Sequence, residues 1–232
     1  MKRSPLTSTG WKMREPFPGL EAGCERVPLG LFEGDPRQVA RALLGKTLIT
    51  LDGDMTTGGK IVETEAYLGR DDPGSHASTR GITRRNATMY GPPACAYVYF
   101  VYGMHHMLNF VCLPEGQAGA VLIRSIEPTL GLEVMSERRG VSSVRDLTRG
   151  PGRLAKALGI SMTDNGSRLD GDRFALFEGA AADLDISVSG RIGLSAGHEL
   201  QLRYYLTGNS FVSFRNWRNT QSVLPNEEQE PV

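Results

Sequence analysis

The chain has 232 residues, 40% of them hydrophobic and 22% charged, which suits one globular domain with a core of its own. Its 26 basic residues balance 26 acidic ones, and zero net charge counts against a uniformly basic surface for nucleic acid. Three cysteines without a CxxC pair argue against a disulfide scaffold or zinc knuckle, and no apolar run reaches the ~18 residues of a membrane span.

Residues 1–20 mix Ser, Thr, Pro and Lys and read as a flexible segment without the apolar stretch of a signal peptide, so a cytoplasmic location is expected. The folded unit is expected over 21–218, followed by a flexible acidic tail at 219–232. With 28 glycines and 13 prolines the chain is turn-rich, which favours many short strands over a helical bundle.

Asp35-Pro36-Arg37-Gln38 has the form of a helix start. Asp35 caps, Pro36 suits the first turn, Val39, Leu43 and Leu44 form an apolar stripe, and Gly45 ends it. KTLITL follows as a strand, then a turn at 52–54. Lys60 to Leu68 reads as a second strand, with Val62, Thr64, Ala66 and Leu68 on a core face. The other face carries Ile61, Glu63, Glu65 and Tyr67, and two acids beside an aromatic are odd for a purely structural strand. Residues 69–95 form a long loop, of the kind that is usually functional or disordered. Ala96–Val101 and His106–Leu113 form a β-hairpin with Tyr102 at its tip. A strand at 120–127, helices at 130–139 and 151–158, and β segments at ISVSGRIGL, LQLRYYL and SFVSF complete the pattern.

Charge is unevenly spread. No Asp or Glu occurs from Pro73 to Pro114, where Arg80, Arg84 and Arg85 lie, and six basic residues face two acids from Ser136 to Lys156. One basic face on a neutral protein is compatible with this distribution.

Several residues invite a chemical reading beside a structural one. Glu65 is either a solvated strand carboxylate or a base that activates water beside the aromatic wall of Tyr67. Tyr67, Tyr97, Tyr99 and His76 suit strands and cores, and equally suit stacking on a planar base. Tyr102 at a hairpin tip has little core to join and suits a wedge between base pairs. Asn109 is either a structural hydrogen-bonding group or a donor that rejects an exocyclic amine. Arg124 is either a strand-edge charge or a fixed cation near the nucleophile. His105 and His106 point to opposite faces, no zinc spacing appears, and no metal is expected.

These residues sit in blocks that resemble one family. The blocks are PLGLF…DPRQVARALLGK (28–46), IVETEAYLG (61–69), DDPGSHAS…TRRNATMYGPP (71–93), YVYFVYGMHHMLNFV (97–111), AVLIRSIEP (120–128), GPGRLAKALGI (150–160) and RIGL…YYLTGNSFVS (191–213). Together they resemble the alkyladenine (3-methyladenine, methylpurine) DNA glycosylase family. Departures are small. Ala94-Cys95 stand where glycine is common, and the hairpin return lacks the usual small residue or Cys before Asn109.

The resemblance implies an α+β fold: a single mixed domain with a curved antiparallel β-sheet, surrounding helices and a protruding β-hairpin. It implies a monofunctional enzyme that flips alkylated or deaminated purines out of double-stranded DNA and hydrolyses their glycosidic bond, as a monomer without metal or cofactor. By resemblance Glu65 is the general base and Arg124, with backbone near Leu194, helps hold the water. Tyr67, His76, Tyr97, Tyr99, Asn109, Met89 and Leu194 line the base pocket, with a backbone hydrogen bond from His76. Tyr102 fills the gap left by the flipped nucleotide, and Thr83, Arg84 and Arg85 contact DNA. Near the tyrosine cluster no lysine is expected, hence no Schiff base. In a bacterium such a protein is expected at the nucleoid. Two other readings stand: a carbohydrate glycosidase using Glu63 and Glu65, and a non-catalytic lesion-binding protein.

Overall fold

A computed structural model describes residues 24–78, 81–179, 183–213 and 221–222. The first helix, α1 (Pro36–Leu43), starts as its sequence dictates: the Asp35 side chain accepts from the Arg37 N–H at 2.8 Å, and Pro36 occupies the first turn. Strands β1 (Thr47–Asp52) and β2 (Met55–Tyr67) follow, then β3 (Ala96–Val101), β4 (His105–Val111) and β5 (Ala120–Leu130). Next come α2 (Leu132–Arg139), α3 (Val144–Leu147) and α4 (Pro151–Ala157). The chain ends in β6 (Phe174–Phe177), β7 (Ile186–Ser189), β8 (Arg203–Leu206) and β9 (Gln221–Ser222). Among the described residues these strands form one antiparallel sheet in the order β3-β4-β5-β2-β8-β7-β9, with β1 joining β2 to β6.

Strand β2 is the spine of the fold. It begins at Met55 rather than Lys60, because its first half pairs with β1 while its second half pairs with β8. Glycine is required where these partners crowd it. A Cβ on Gly59 would lie 2.1 Å from the Glu127 carbonyl, and one on Gly58 2.4 Å from that of Leu48. The sheet curls around this crossing.

The two faces of the sheet differ. Val62 and Ala66 of β2, Leu108 and Phe110 of β4, and Val121 and Ile123 of β5 point into the main core, which α1, α2 and α4 cover. The Thr64 hydroxyl donates to the Ala40 carbonyl at 2.9 Å and ties β2 to α1. The opposite face carries Glu63, Glu65 and Tyr67. Residues 73–95 fold back over it, burying Ala77 and Met89 in a second apolar cluster with Cys95, Tyr97, Val111 and Ala120. The long loop is therefore packed over its described residues, with a 3₁₀ turn at Ala87–Tyr90.

The hairpin of β3 and β4 is as expected. Tyr102 and Gly103 have φ of 53° and 67°, and the Met104 N–H donates to the Val101 carbonyl at 3.2 Å, closing a tight turn. Tyr102 is 81% exposed. Ala94 has φ 59°, a conformation that favours glycine.

Two β expectations fail. ISVSGRIGL is a strand only to Ser189, and 210–213 of SFVSF are turn and bend. The Phe211 and Val212 carbonyls are taken instead by the Ser125 hydroxyl and Arg149, so this segment caps the sheet rather than extending it. Strand β9 lies past residue 218. The expected N-terminal segment 1–20, Arg80 and the remaining tail lie outside the described residues. No helix among the described residues is long and apolar enough to cross a membrane.

Candidate active site

Antiparallel register assembles the site. Tyr97 on β3, Asn109 on β4, Leu122 on β5, Glu65 on β2 and Arg203 on β8 are successive cross-strand partners, so one row crosses one face of five strands. Arg124 reaches the same face from a bulge: Glu63 pairs with Ser125 and Thr64 with Ile123, leaving Arg124 between them. Its side chain is 7% exposed, so it is no strand-edge charge.

Glu65 is 0% exposed and not a solvated strand residue. Its Oε1 accepts from the Ile192 N–H at 2.8 Å and faces Arg124 Nη1 at 3.1 Å, and its Oε2 accepts from the Tyr67 hydroxyl at 2.9 Å. A carboxylate offers about four lone-pair sites, so one remains. Glu63, two residues earlier, is more heavily engaged. Arg124 Nε, Arg203 Nε and the Ser213 hydroxyl donate to Oε1, and the Ser213 N–H donates to Oε2. Burial pushes the Glu63 carboxyl upward, but the guanidinium groups of Arg124 and Arg203 outweigh it and hold the pKa below 4.5. The first carboxylate is a structural counter-ion, and the second has capacity to spare.

Beside Glu65 stands an aromatic group. The rings of His76 and Tyr99 meet edge to face at 4.5 Å, Tyr97 and Tyr99 lie 5.4 Å apart, and His76 Nδ1 bonds the Tyr97 hydroxyl at 2.9 Å. Burial, then Arg85, lowers the His76 pKa below 6.5, so its imidazole is neutral at pH 7. Burial, then the Glu65 charge, pushes the Tyr99 phenol to about 12 and the Tyr67 phenol well up, so both are neutral hydroxyls. The His76 carbonyl accepts from the Asn86 amide at 2.9 Å.

The remaining expected residues fall in different places. Asn109 is buried and donates one amide N–H to the Tyr97 carbonyl at 3.0 Å, which leaves its second N–H. Met89 is buried beneath the aromatic group, 3.8 Å from the Ser75 hydroxyl. Arg85 stacks over Tyr99 at 5.5 Å from an exposed position, and Thr83 and Arg84 are exposed beside it. Leu194 is half-buried near Gly74, and the backbone group at Glu65 is that of Ile192, not Leu194. No group of three His, Cys, Asp or Glu among the described residues could hold a metal.

Three parts of the site escaped sequence reasoning. Arg203 stood out only as a charge inside LQLRYYL. Ile192 acts through its backbone. Asp72 and Arg191 form a fully buried ion pair across 119 residues of sequence.

The sequence profile of the methylpurine-DNA glycosylase family matches residues 30–210. The chain belongs to this family. The match spans the Glu65 cluster from Glu63 to Arg203 and ends just before Ser213. A Rhodopseudomonas palustris relative is 49% identical over 188 residues, 81% of this chain and 90% of the relative. One from Koribacter versatilis is 42% identical over 196 residues, 82% and 94% of the two chains. One from Methanoculleus marisnigri is 43% identical over 193 residues, 82% and 99%. All three are provisionally named 3-methyladenine DNA glycosylases.

Proposed function

We propose that this protein is a monofunctional DNA glycosylase of base excision repair, which flips alkylated or deaminated purines from duplex DNA and hydrolyses their N-glycosidic bond. The single observation that carries this reading is Glu65: a buried carboxylate with one unfilled lone-pair site, fixed by three donors beside an aromatic group. The names of the relatives agree with it.

In the reaction a water on Glu65 attacks C1′ of the deoxyribose, its proton passes to the carboxylate, and the bond to the base breaks with its electron pair leaving on the purine. A cationic alkylpurine departs neutral and needs no acid. Neutral His76, Tyr67 and Tyr99 suit such a base, because the rings carry no charge of their own and offer π faces, although Arg191 already covers one face of Tyr67 and Arg85 one of Tyr99. The second Asn109 N–H is placed to meet an exocyclic amine. The tip residue Tyr102 enters the stack, and Thr83, Arg84 and Arg85 follow the backbone. Arg124 donates its Nε–H to Glu63 and an Nη2–H to Ser213 and pairs through Nη1 with Glu65, and it helps to hold the water. A reaction without a Schiff base is part of this reading: among the described residues Lys46 and Lys60 pair with Glu178 and Glu127, and Lys156 lies on α4. The protein acts as a cytoplasmic monomer.

The two arginines on Glu63, which hold it as a buried counter-ion with a lowered pKa, speak against a carbohydrate glycosidase, which needs a second carboxyl free to move a proton. The decisive experiment is base release from single-lesion duplexes. Glu65→Gln is expected to bind an ethenoadenine duplex while losing about 10²–10⁴-fold in excision. Full activity in that variant removes Glu65 from the role, and no release by the wild type leaves only a lesion-binding protein.

A further inference from the structure

Ile192 and Tyr67 supply two of the three donors that fix Glu65, and both are anchored by groups that touch neither substrate nor water in the mechanism above. Arg191 precedes Ile192. Its guanidinium lies over the Tyr67 ring at 4.6 Å and its Nη1 donates at 3.0 Å to the carbonyl of Ala66, the residue between Glu65 and Tyr67. Arg191 Nη2 also donates to the Gly197 carbonyl at 3.2 Å. Its Nε is buried without an oxygen partner, beside the face of the tyrosine ring.

Asp72 completes the arrangement. Both of its oxygens accept from Arg191, Oδ2 also accepts from the Leu68 N–H, and Oδ1 also accepts from the Gly74 N–H, each at 3.0 Å. The Asp72 and Arg191 side chains are 0% exposed. No spare room surrounds them. A Cβ on Gly74 would stand 2.6 Å from Arg191 Nη2, and one on Gly197 2.9 Å from it. The pair therefore joins the end of β2, the start of the 73–95 excursion and the segment after β7 at one point.

We infer that Asp72 and Arg191 are positioning residues for Glu65: they set the Ile192 N–H and the Tyr67 hydroxyl against its two oxygens, and so control the chemical step without contacting DNA. The inference rests on the proposed role of Glu65. A pair that served only the fold would change melting temperature and leave the bond-breaking rate of the folded enzyme alone. A positioning pair changes that rate, because small displacements of a catalytic group have large effects.

The test uses Asp72→Asn, which keeps the shape but leaves Arg191 without its counter-charge, and Gly74→Ala, which keeps both charges but crowds Arg191 Nη2 at 2.6 Å and Leu194 Cδ1 at 2.7 Å, so Leu194→Ala is measured beside it to subtract any effect of Leu194. Single-turnover base release and lesion-duplex affinity are measured below each variant's melting temperature. The expected result is a rate constant about 10- to 100-fold lower with an affinity within about threefold of wild type. A folded variant whose rate stays within about twofold of wild type overturns the inference, as does a rate loss matched by lost affinity. Should Asp72→Asn fail to fold, Gly74→Ala decides. If the wild type itself releases no base, the enzymatic reading fails separately. The pair is then judged by the Ile192 amide proton resonance, which moves in Gly74→Ala if the pair places that N–H on Glu65 and stays put if it does not.

Discussion

Two carboxylates on one strand face, two residues apart, are given opposite duties by what donates to them. Glu63 accepts from two arginines and from both polar groups of Ser213, which binds it into the fold as a counter-ion. Removing its charge leaves Arg124 and Arg203 buried and under-compensated, a change that typically costs about 3–5 kcal/mol. Glu63→Gln should therefore lower the melting temperature by about 10 °C, read by circular dichroism. The pH dependence has a definite sign. The folded Glu63 pKa lies below 4.5, so its contribution is complete above that value and is lost as pH falls through the folded pKa. Wild-type melting temperature should thus fall below about pH 4.5, and Glu63→Gln should show less of that fall. An equal acid sensitivity in both proteins would separate Glu63 from acid unfolding.

At the scale of elements, the hairpin was the most legible feature, and its tip gives a clean test. Tyr102 is 81% exposed, so Tyr102→Ala opens no cavity and should leave the melting temperature unchanged. On the proposed reading it should weaken lesion-duplex binding and slow extrusion, measured by anisotropy and by the fluorescence of a flipped base analogue. A change in stability without a change in DNA binding would dismiss the wedge. The hairpin was legible because alternation and a Tyr-Gly turn are local signals. So were the α1 cap, the two faces of β2 and the glycine stops after α2 and α4. The misread segments have non-local causes. SFVSF is rich in β formers, yet its carbonyls cap Ser125 and Arg149 from elsewhere in the chain. Strand β2 starts five residues early because β1 pairs with a Met-Thr-Thr-Gly-Gly stretch whose two glycines, depleted in strands, hide it from the sequence pattern. The burial of Arg124 depends on a bulge, and the Asp72–Arg191 pair depends on a closure over 119 residues, neither of which leaves a periodic trace.

At the scale of the molecule, the question is how a protein with no net charge holds a polyanion. The structure answers by dividing its arginines. Arg138, Arg173, Arg191 and Arg203 are committed to acids or carbonyls inside the fold. Others face outward. Arg84 and Arg85 stand on the excursion beside the aromatic group. Arg149 and Arg153 line a groove of about 410 Å³ whose wall includes Arg124 and Ser213, with Asp146 as the one acid among its described residues. Arg153 is half-exposed and pairs with Asp146 at 3.1 Å, a surface contact worth little on its own and easily exchanged for a phosphate. Arg139 lies close enough for its pKa to be lowered by burial and by the Arg153 charge, so the groove edge is electrostatically crowded and gains from an incoming anion. On the proposed reading Arg153→Ala should reduce the slope of log affinity against log salt for undamaged duplex by about 0.9, the share of one phosphate contact. Single-turnover excision at saturating enzyme and low salt should stay near wild type, because Arg153 does not touch the Glu65 cluster. An unchanged salt slope would place the DNA backbone away from this groove and leave Arg84 and Arg85 as the phosphate contacts to be tested in its stead.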